Sequence, residues 1–370
     1  LNFLFIFNYL KLKKYIYLLN IHYLFVRFIE RYNRFMPYSQ NSSDAIIIGG
    51  GHNGLVCAYY LAKKGLKVHI YERRSIVGGA AVTEEFHPGF RNSVASYTVS
   101  LLNPEIIKDM KLKEYGLKIV KRPISNFLPI DDKTYLKLGG GLERTQNEFK
   151  RFSEKDAARL PEYYERIEAV ADVLRDLSIK TPPNPKQGIR AALNAALQLW
   201  PIATKGNQVH RDVYDLFTKS ARSFLDSWFE NEHIKAAFGF DSIVGNFASP
   251  DTPGSAYVLL HHVFGEVDGE KGAWGHAIGG MGAITQAMEK ACKEIGVEIF
   301  TNASVDKVIV ENGAAIGIQL DDGSTRKAKK IISNLNPKLL YKKLIDESEL
   351  DSEFNRSMDG YKCGSGTFRM

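Results

Sequence analysis

The sequence predicts an α/β fold, a parallel sheet with a small antiparallel meander, interrupted by a mainly helical insert. Three observations carry that expectation. Residues 44–79 read as strand, glycine-rich turn, helix and second strand, the pattern of a βαβ unit. Residues 297–333 return to short strands with tight turns at Asn312-Gly313 and Asp322-Gly323. Between these two parts, over about residues 150–260, helical periodicity dominates.

Residues 45–48 are a short apolar, β-branched run, as expected of a strand buried on both faces. Gly49, Gly51 and Gly54 then fall in the G-x-G-x-x-G spacing. Gly49 permits a sharp turn, Gly51 keeps side-chain bulk away from a pyrophosphate, and Gly54 lets the following helix approach the strand. That helix, predicted over residues 53–64, presents free N–H groups and its positive dipole end to phosphates. Leu55, Ala58, Leu61 and Ala62 recur at helical spacing, and Gly65 is placed to end it. Residues 66–71 form the second strand. Glu72 follows, 18 residues after Gly54, where a carboxylate can accept hydrogen bonds from both ribose hydroxyls of an adenosine. The strand, turn, helix and acidic residue agree on a dinucleotide site, which a glycine triplet alone would not establish.

Further along, Gly78-Gly79 offers another close backbone approach to a cofactor. Residues 83–97 read as strand, turn at Pro88-Gly89, then strand, and residues 117–138 as antiparallel strands turning at Pro123 and Asp131-Asp132. His87 beside its turn reads as a surface residue. Ser153 opens a helix with a capping-box-like pattern that runs to about Leu177 and is broken by the Pro-rich residues 181–186. Helices are expected over residues 189–199 and 213–229, and again over 283–295 before Gly296. Adjacent His261 and His262 would point opposite ways in extended chain, and they alone make no metal site.

The composition is that of an ordinary globular protein, 44% hydrophobic and 25% charged. The net charge is +7, but residues 1–35 hold six Lys or Arg against the single Glu30 and so account for five of those charges. The small remainder suggests neither a nucleic-acid nor a membrane surface. Cys57, Cys292 and Cys363 form no C-x-x-C pair, which argues against a dithiol centre and a cysteine-rich metal site; Cys57 reads as a small buried hydrophobe. Residues 1–35 lack Gly, Ala, Ser, Thr, Asp and Pro. They could be a membrane helix or an organelle-targeting segment, but the favoured expectation is an extended reading frame with Met36 as the true start. No firm membrane span is read in them.

Several stretches resemble the phytoene desaturase-like branch of FAD-dependent oxidoreductases: the turn from Ile48, Glu72-Arg73-Arg74, the run from Ile76, Pro88-Gly89-Phe90, the run from Ser249 to His262, Gly272-Ala273-Trp274-Gly275, Gly279-Gly280-Met281-Gly282-Ala283 and Ser333-Asn334-Leu335-Asn336-Pro337. The resemblance spans about residues 44–370 and implies a Rossmann-like FAD-binding domain. Its two parts would be residues 44–145 and 262–345, with a substrate or cap region at 146–261. Residues 1–43 would be a leader and 346–370 the start of a truncated C-terminal part. The same resemblance implies cofactor contacts at Gly49, Gly50, Gly51, His52, Asn53, Gly54, Glu72, Arg73, Gly78, Gly79 and Ala80, with the backbone of Val305 near the adenine. Many relatives carry Arg where Ala80 stands. The glycine-rich strand–helix with which the family closes its FAD site is not found before Met370.

The resemblance further implies hydride transfer from a small-molecule substrate carbon to flavin, with an extended apolar substrate as in desaturases. It implies a regulatory role, a mitochondrial setting and a respiratory-chain protein partner in a eukaryotic host, or the cytoplasm in a bacterial one. Carotenoid desaturation or isomerisation is the alternative chemistry. A flavin-binding interaction protein without turnover, or an inactive fragment, is the alternative of another class. NAD is disfavoured, because an NAD domain needs neither Gly78-Gly79 nor the Val305 segment. No residue is singled out as catalytic and none as a metal ligand.

Overall fold

Strand β1 (Ser43–Ile48) is the axis of a computed structural model that describes residues 43–364, apart from Pro183, residues 185–187 and Asn246. The expectations for residues 1–42 and 365–370, and part of the Pro-rich break, lie outside the described residues. Along β1 the side chains alternate between two cores, Ala45 and Ile47 in one and Ile46 and Ile48 in the other. Both faces are therefore buried, which is why the run is uniformly apolar.

Helix α1 (His52–Lys63) follows, and β2 (Val68–Tyr71) returns parallel to β1, with Ala45 opposite Val68 and Ile48 opposite Tyr71. Late in the chain come β3 (Glu298–Phe300), β4 (Val305–Glu311), β5 (Ala314–Leu320) and β6 (Thr325–Ser333). Together they form a six-stranded sheet in the order β3-β2-β1-β6-β5-β4. Strands β3, β2, β1 and β6 run parallel, and the β4-β5-β6 side is antiparallel. β6 serves both arrangements: residues 325–327 pair with β5, and the stretch from Ala328 to Ser333 lies in register with Ser43 to Ile48. The last segment of the predicted meander and the predicted return to the sheet are thus one strand.

Two helices cover one face of the sheet, α1 and a later helix whose apolar side (Ile284, Ala287, Met288, Ala291) packs in the same core. The meander and Leu344 close the other face over Ile46, Ile48 and Tyr71. A third core holds the helical region. It is built on α2 (Glu154–Ser178), whose Leu160, Tyr163, Ile167 and Val170 meet Phe224, Trp228, Phe229 and Phe238, and it takes in Leu136 and Leu138 of an earlier strand. The Ser153 hydroxyl accepts the Asp156 N–H at 3.1 Å, so the cap expected from the sequence is formed. We name the later helix α3 (Gly282–Glu294).

Four expectations need correction. Residues 213–229 are not one helix but two, Asn207–Thr218 and Ala221–Asp226, because Ser220 caps a new start by accepting the Ser223 N–H. Strand Ile119–Lys121 does not join its neighbours in sequence; it pairs with Gly275–Ala277, while Asn126–Pro129 and Tyr135–Leu138 pair with each other. His261 and His262 are not extended but open a short helix, His261–Phe264. Cys57 is half-buried, whereas Cys292 on α3 is fully buried against α1, its Sγ 3.2 Å from the Leu55 carbonyl.

Candidate cofactor site

The turn after β1 closes on backbone contacts that only glycine permits. Gly49 adopts φ +95°, in the region that L side chains avoid. A Cβ on Gly54 would stand 2.4 Å from the Gly49 carbonyl oxygen, so the first turn of α1 reaches the strand end only because position 54 has no side chain. Gly79, at φ +55°, packs its backbone on Gly51, and a Cβ there would lie 3.1 Å from the Gly51 Cα.

Gly50 and Gly78 brace the turn from behind. The Gly50 N–H donates to the Glu72 carboxylate at 2.7 Å, and the Gly78 N–H donates to the Gly50 carbonyl at 2.9 Å. The other Glu72 oxygen accepts the Arg74 N–H at 2.9 Å. Glu72 is itself buried, so both of its oxygens are oriented by backbone donors at the β2 end.

The loop between β3 and β4 is stitched to this same end. The Ala303 N–H donates to the Glu72 carbonyl and the Asn302 N–H to the Arg74 carbonyl, both at 2.9 Å. Val305 therefore arrives beside the turn that follows Ile48, although the two lie 257 positions apart in the sequence. A cavity of about 500 Å³ results. Of the residues expected at a cofactor, Gly49, Gly51, His52, Asn53, Gly54, Glu72, Arg73, Gly79, Ala80 and Val305 line it. Gly50 and Gly78 do not; they hold the lining residues in place. Arg74, Ser304, Asn334 and Leu335 line it as well and were not anticipated. Asn334 had a signal: it directly follows β6, whose last residue Ser333 lies opposite Ile48; in the structure its side chain accepts a hydrogen bond from the Asn53 side chain at 2.9 Å.

His52 stands at the start of α1 with its Nδ1 buried and without a partner. Burial depresses its pKa, so the imidazole is neutral near pH 7. Together with Asn53 it also borders a second, mostly apolar cavity of about 620 Å³, lined by Val56, Leu102, Ile106, Ile284 and Trp274 among others. Trp274 in turn borders a third, of about 750 Å³, reaching the helical region at Tyr164, Phe238, Asp241 and His262. His262 sits between Tyr163 Oη (Nε2, 3.2 Å) and Asp241 Oδ2 (Nδ1, 3.4 Å), and burial holds the Tyr163 phenol well above its usual pKa.

The Gly279-Gly280-Met281-Gly282 stretch has a packing role. Gly282 N–H donates to the Thr83 hydroxyl at 2.8 Å and Met281 N–H to the Ser93 hydroxyl at 3.0 Å, seating α3 on the Thr83–His87 and Phe90–Ser93 hairpin. Burial raises the pKa of both the Cys57 and Cys292 thiols, Cys292 to about 12. Among the described residues no group of three His, Cys, Asp or Glu side chains could hold a metal, and no helix is long and apolar enough to cross a membrane.

A cradle of bare backbone, a helix N-terminus with an unpartnered imidazole, and an oriented carboxylate at the next strand end fit the pyrophosphate and ribose of a dinucleotide. Residues 54–367 match the family of flavin containing amine oxidoreductases. The chain is 38% identical over 326 residues to mouse pyridine nucleotide-disulfide oxidoreductase domain-containing protein 2, covering 84% of this chain and 56% of that protein. It is 27% identical to a limonene dehydrogenase component of Castellaniella defragrans (83% of this chain, 54% of that one). To the 4,4'-diaponeurosporene oxygenase of Staphylococcus aureus it is 26% identical (85% and 61%). The chain thus spans little more than half the length of these curated relatives. Among solved structures, putrescine oxidase bound to putrescine superposes with a TM-score of 0.55 at 19% identity, covering 86% of this chain and 63% of that one, which supports the fold alone. By sequence this chain belongs to the flavin containing amine oxidoreductases, and its cavity suits the FAD that the family binds.

Proposed function

We propose that this chain oxidises a small, apolar molecule, with the 500 Å³ cavity holding FAD and the two further cavities receiving the substrate. One observation carries the reading: Val305 and the turn after Ile48 line the same cavity from opposite ends of the sequence. An ordinary βαβ unit has no reason to recruit that second segment. When bound, FAD supplies hydride acceptance.

The chain's own residues position and enclose. The backbone at Gly49, Gly51 and Gly79 receives the pyrophosphate, aided by the N-terminus of α1. Glu72 accepts from the ribose hydroxyls with the lone pairs that Gly50 and Arg74 leave free, and Val305 packs near the adenine. His52, being neutral, presents a hydrogen-bonding nitrogen without a second positive charge. The apolar walls at Val56, Ile106 and Ile284 exclude water beyond His52 and Asn53. Two relatives carry the names of apolar molecules, limonene and 4,4'-diaponeurosporene, which supports an apolar substrate class.

A regulatory role, a respiratory-chain partner, and a mitochondrial setting in a eukaryotic host or a cytoplasmic one in a bacterial host complete the proposal. They rest on the likeness to the mouse relative. The test is to purify the protein with its full natural length, release the cofactor with acid and identify it. Stoichiometric FAD that is bleached anaerobically by terpenoid or polyene candidates supports the reading. Colourless protein that takes up no added FAD overturns it.

A further inference from the structure

Helix Ile189–Ala203 carries exposed apolar side chains along one side. Four of its large apolar side chains face solvent: Ile189 is 80% exposed, Leu193 60%, Leu197 72% and Trp200 68%. These four recur at intervals of four, four and three residues, which places them on one side of an α-helix. Among the described side chains of this helix, the half-buried ones are Ala191, Ala195 and Gln198. A ridge of three aliphatic side chains and an indole is left without cover. Scattered exposed leucines need no explanation, but a continuous ridge of this kind marks a contact surface.

Charge narrows the choice of partner. From residue 179 to residue 211 there are five Lys or Arg and no Asp or Glu. Of these, Lys180 is already paired with Asp176 on α2. Lys205 and Arg211 are exposed just beyond the ridge. An apolar ridge with an aromatic edge, in a stretch of sequence whose charged residues are all cations, is complementary to a bilayer whose surface is anionic and whose interior is apolar. Tryptophan suits that boundary because its ring is apolar and its N–H can reach a headgroup. The helix is 15 residues long, about 22 Å at 1.5 Å per residue, too short for a hydrocarbon core of about 30 Å. It would lie on the surface rather than cross it.

We propose that helix Ile189–Ala203 docks this protein on anionic lipid bilayers through Ile189, Leu193, Leu197 and Trp200. The inference stands apart from the flavin reading, because none of these residues borders the three cavities.

The experiment is co-sedimentation of the full protein with vesicles of phosphatidylcholine plus phosphatidylserine, beside vesicles of phosphatidylcholine alone. Binding to the mixed vesicles, weakened by salt and at least about tenfold stronger than to the neutral ones, is expected. Leu197→Glu and Trp200→Glu should each lower it by about tenfold or more while leaving thermal melting unchanged, since both side chains are exposed. Leu193→Ser serves if either variant fails to fold. Tryptophan emission should shift to the blue on vesicles, and Trp200→Phe should abolish the shift while sparing most of the binding. Absence of vesicle binding overturns the proposal, as does equal binding by wild type and ridge variants. So does a dimer that Leu197→Glu dissociates in the absence of any vesicle binding, for then a second copy covers the ridge.

Discussion

The Gly50 amide hydrogen is bonded to the Glu72 carboxylate at 2.7 Å, tying the glycine turn to the end of the neighbouring strand. The bond gives Glu72 a structural duty in addition to any contact with ribose. Glu72→Ala leaves two backbone donors, of Gly50 and Arg74, without an acceptor. We expect a loss of about 2–3 kcal/mol in urea unfolding and weaker FAD uptake. Glu72→Gln keeps an acceptor for one donor and should lose less on both measures.

Gly54→Ala should be among the most damaging small substitutions in the chain. Its Cβ would meet the Gly49 carbonyl at 2.4 Å and the Ile47 side chain at 3.3 Å, and neither can move without displacing β1. We expect about 2 kcal/mol or more of destabilisation, together with reduced FAD binding. Ala at Gly65, whose Cβ meets nothing within 4 Å, is the control. It bears only the cost of its φ of +84°, with FAD binding intact.

Stability should decline as the pH falls below the ordinary histidine range. Burial depresses the pKa of His52, and that of His69, so the unfolded chain binds protons more readily than the folded one. Stability from these groups is complete above the unfolded value of 6.5 and is lost progressively as the pH drops through it toward the folded values. Denaturant midpoints measured between pH 8 and about pH 5 test this. His52→Gln should flatten the dependence, and a slope equal to wild type would contradict the assignment.

Asp156 ties the start of α2 to the chain that precedes helix Glu232–Gly239. It is 1% exposed and accepts the Glu230 and Asn231 N–H groups, each at 2.9 Å. Asp156→Ala strands both donors in a buried setting and should cost about 2–3 kcal/mol. Hydrogen exchange should rise first at Glu230 and Asn231, with the amides of β1 unaffected. Equal loss of protection in both regions would show the helical core and the sheet to be one cooperative unit.

The βαβ unit was legible because each of its parts is local. Ile46 to Ile48 are buried on both faces as their apolar run requires, Gly49 takes the positive φ that its position demands, and Gly65 adopts φ +84° at the end of α1. Local signals also located α3 and the two tight turns of the meander. They failed where a helix could be interrupted by a capping serine, as at Ser220, and where a strand's partner lay far along the chain, as for Ile119–Lys121.

The whole-chain charge was a poor guide for a related reason: a sum hides segregation, and the acid-free stretch from 179 to 211 vanishes in it. The amphipathic helix beginning at Ile189 was likewise legible as a helix. Its direction was not. Periodicity reveals that a helix has an apolar side, but only packing determines whether that side meets a core or water.

By itself, then, the sequence determined the cofactor turn, the carboxylate after it and the flavin-binding family. The tertiary structure decided that β6 spans both halves of the sheet, that Gly50 and Gly78 brace the cavity that Gly49 and Gly51 line, and that Val305 joins them. The reason is physical. Backbone conformation is written residue by residue, whereas which distant segments share a cavity depends on the register of pairings such as Ile48 with Ser333, and that register is set by the packed cores on the two faces of the sheet.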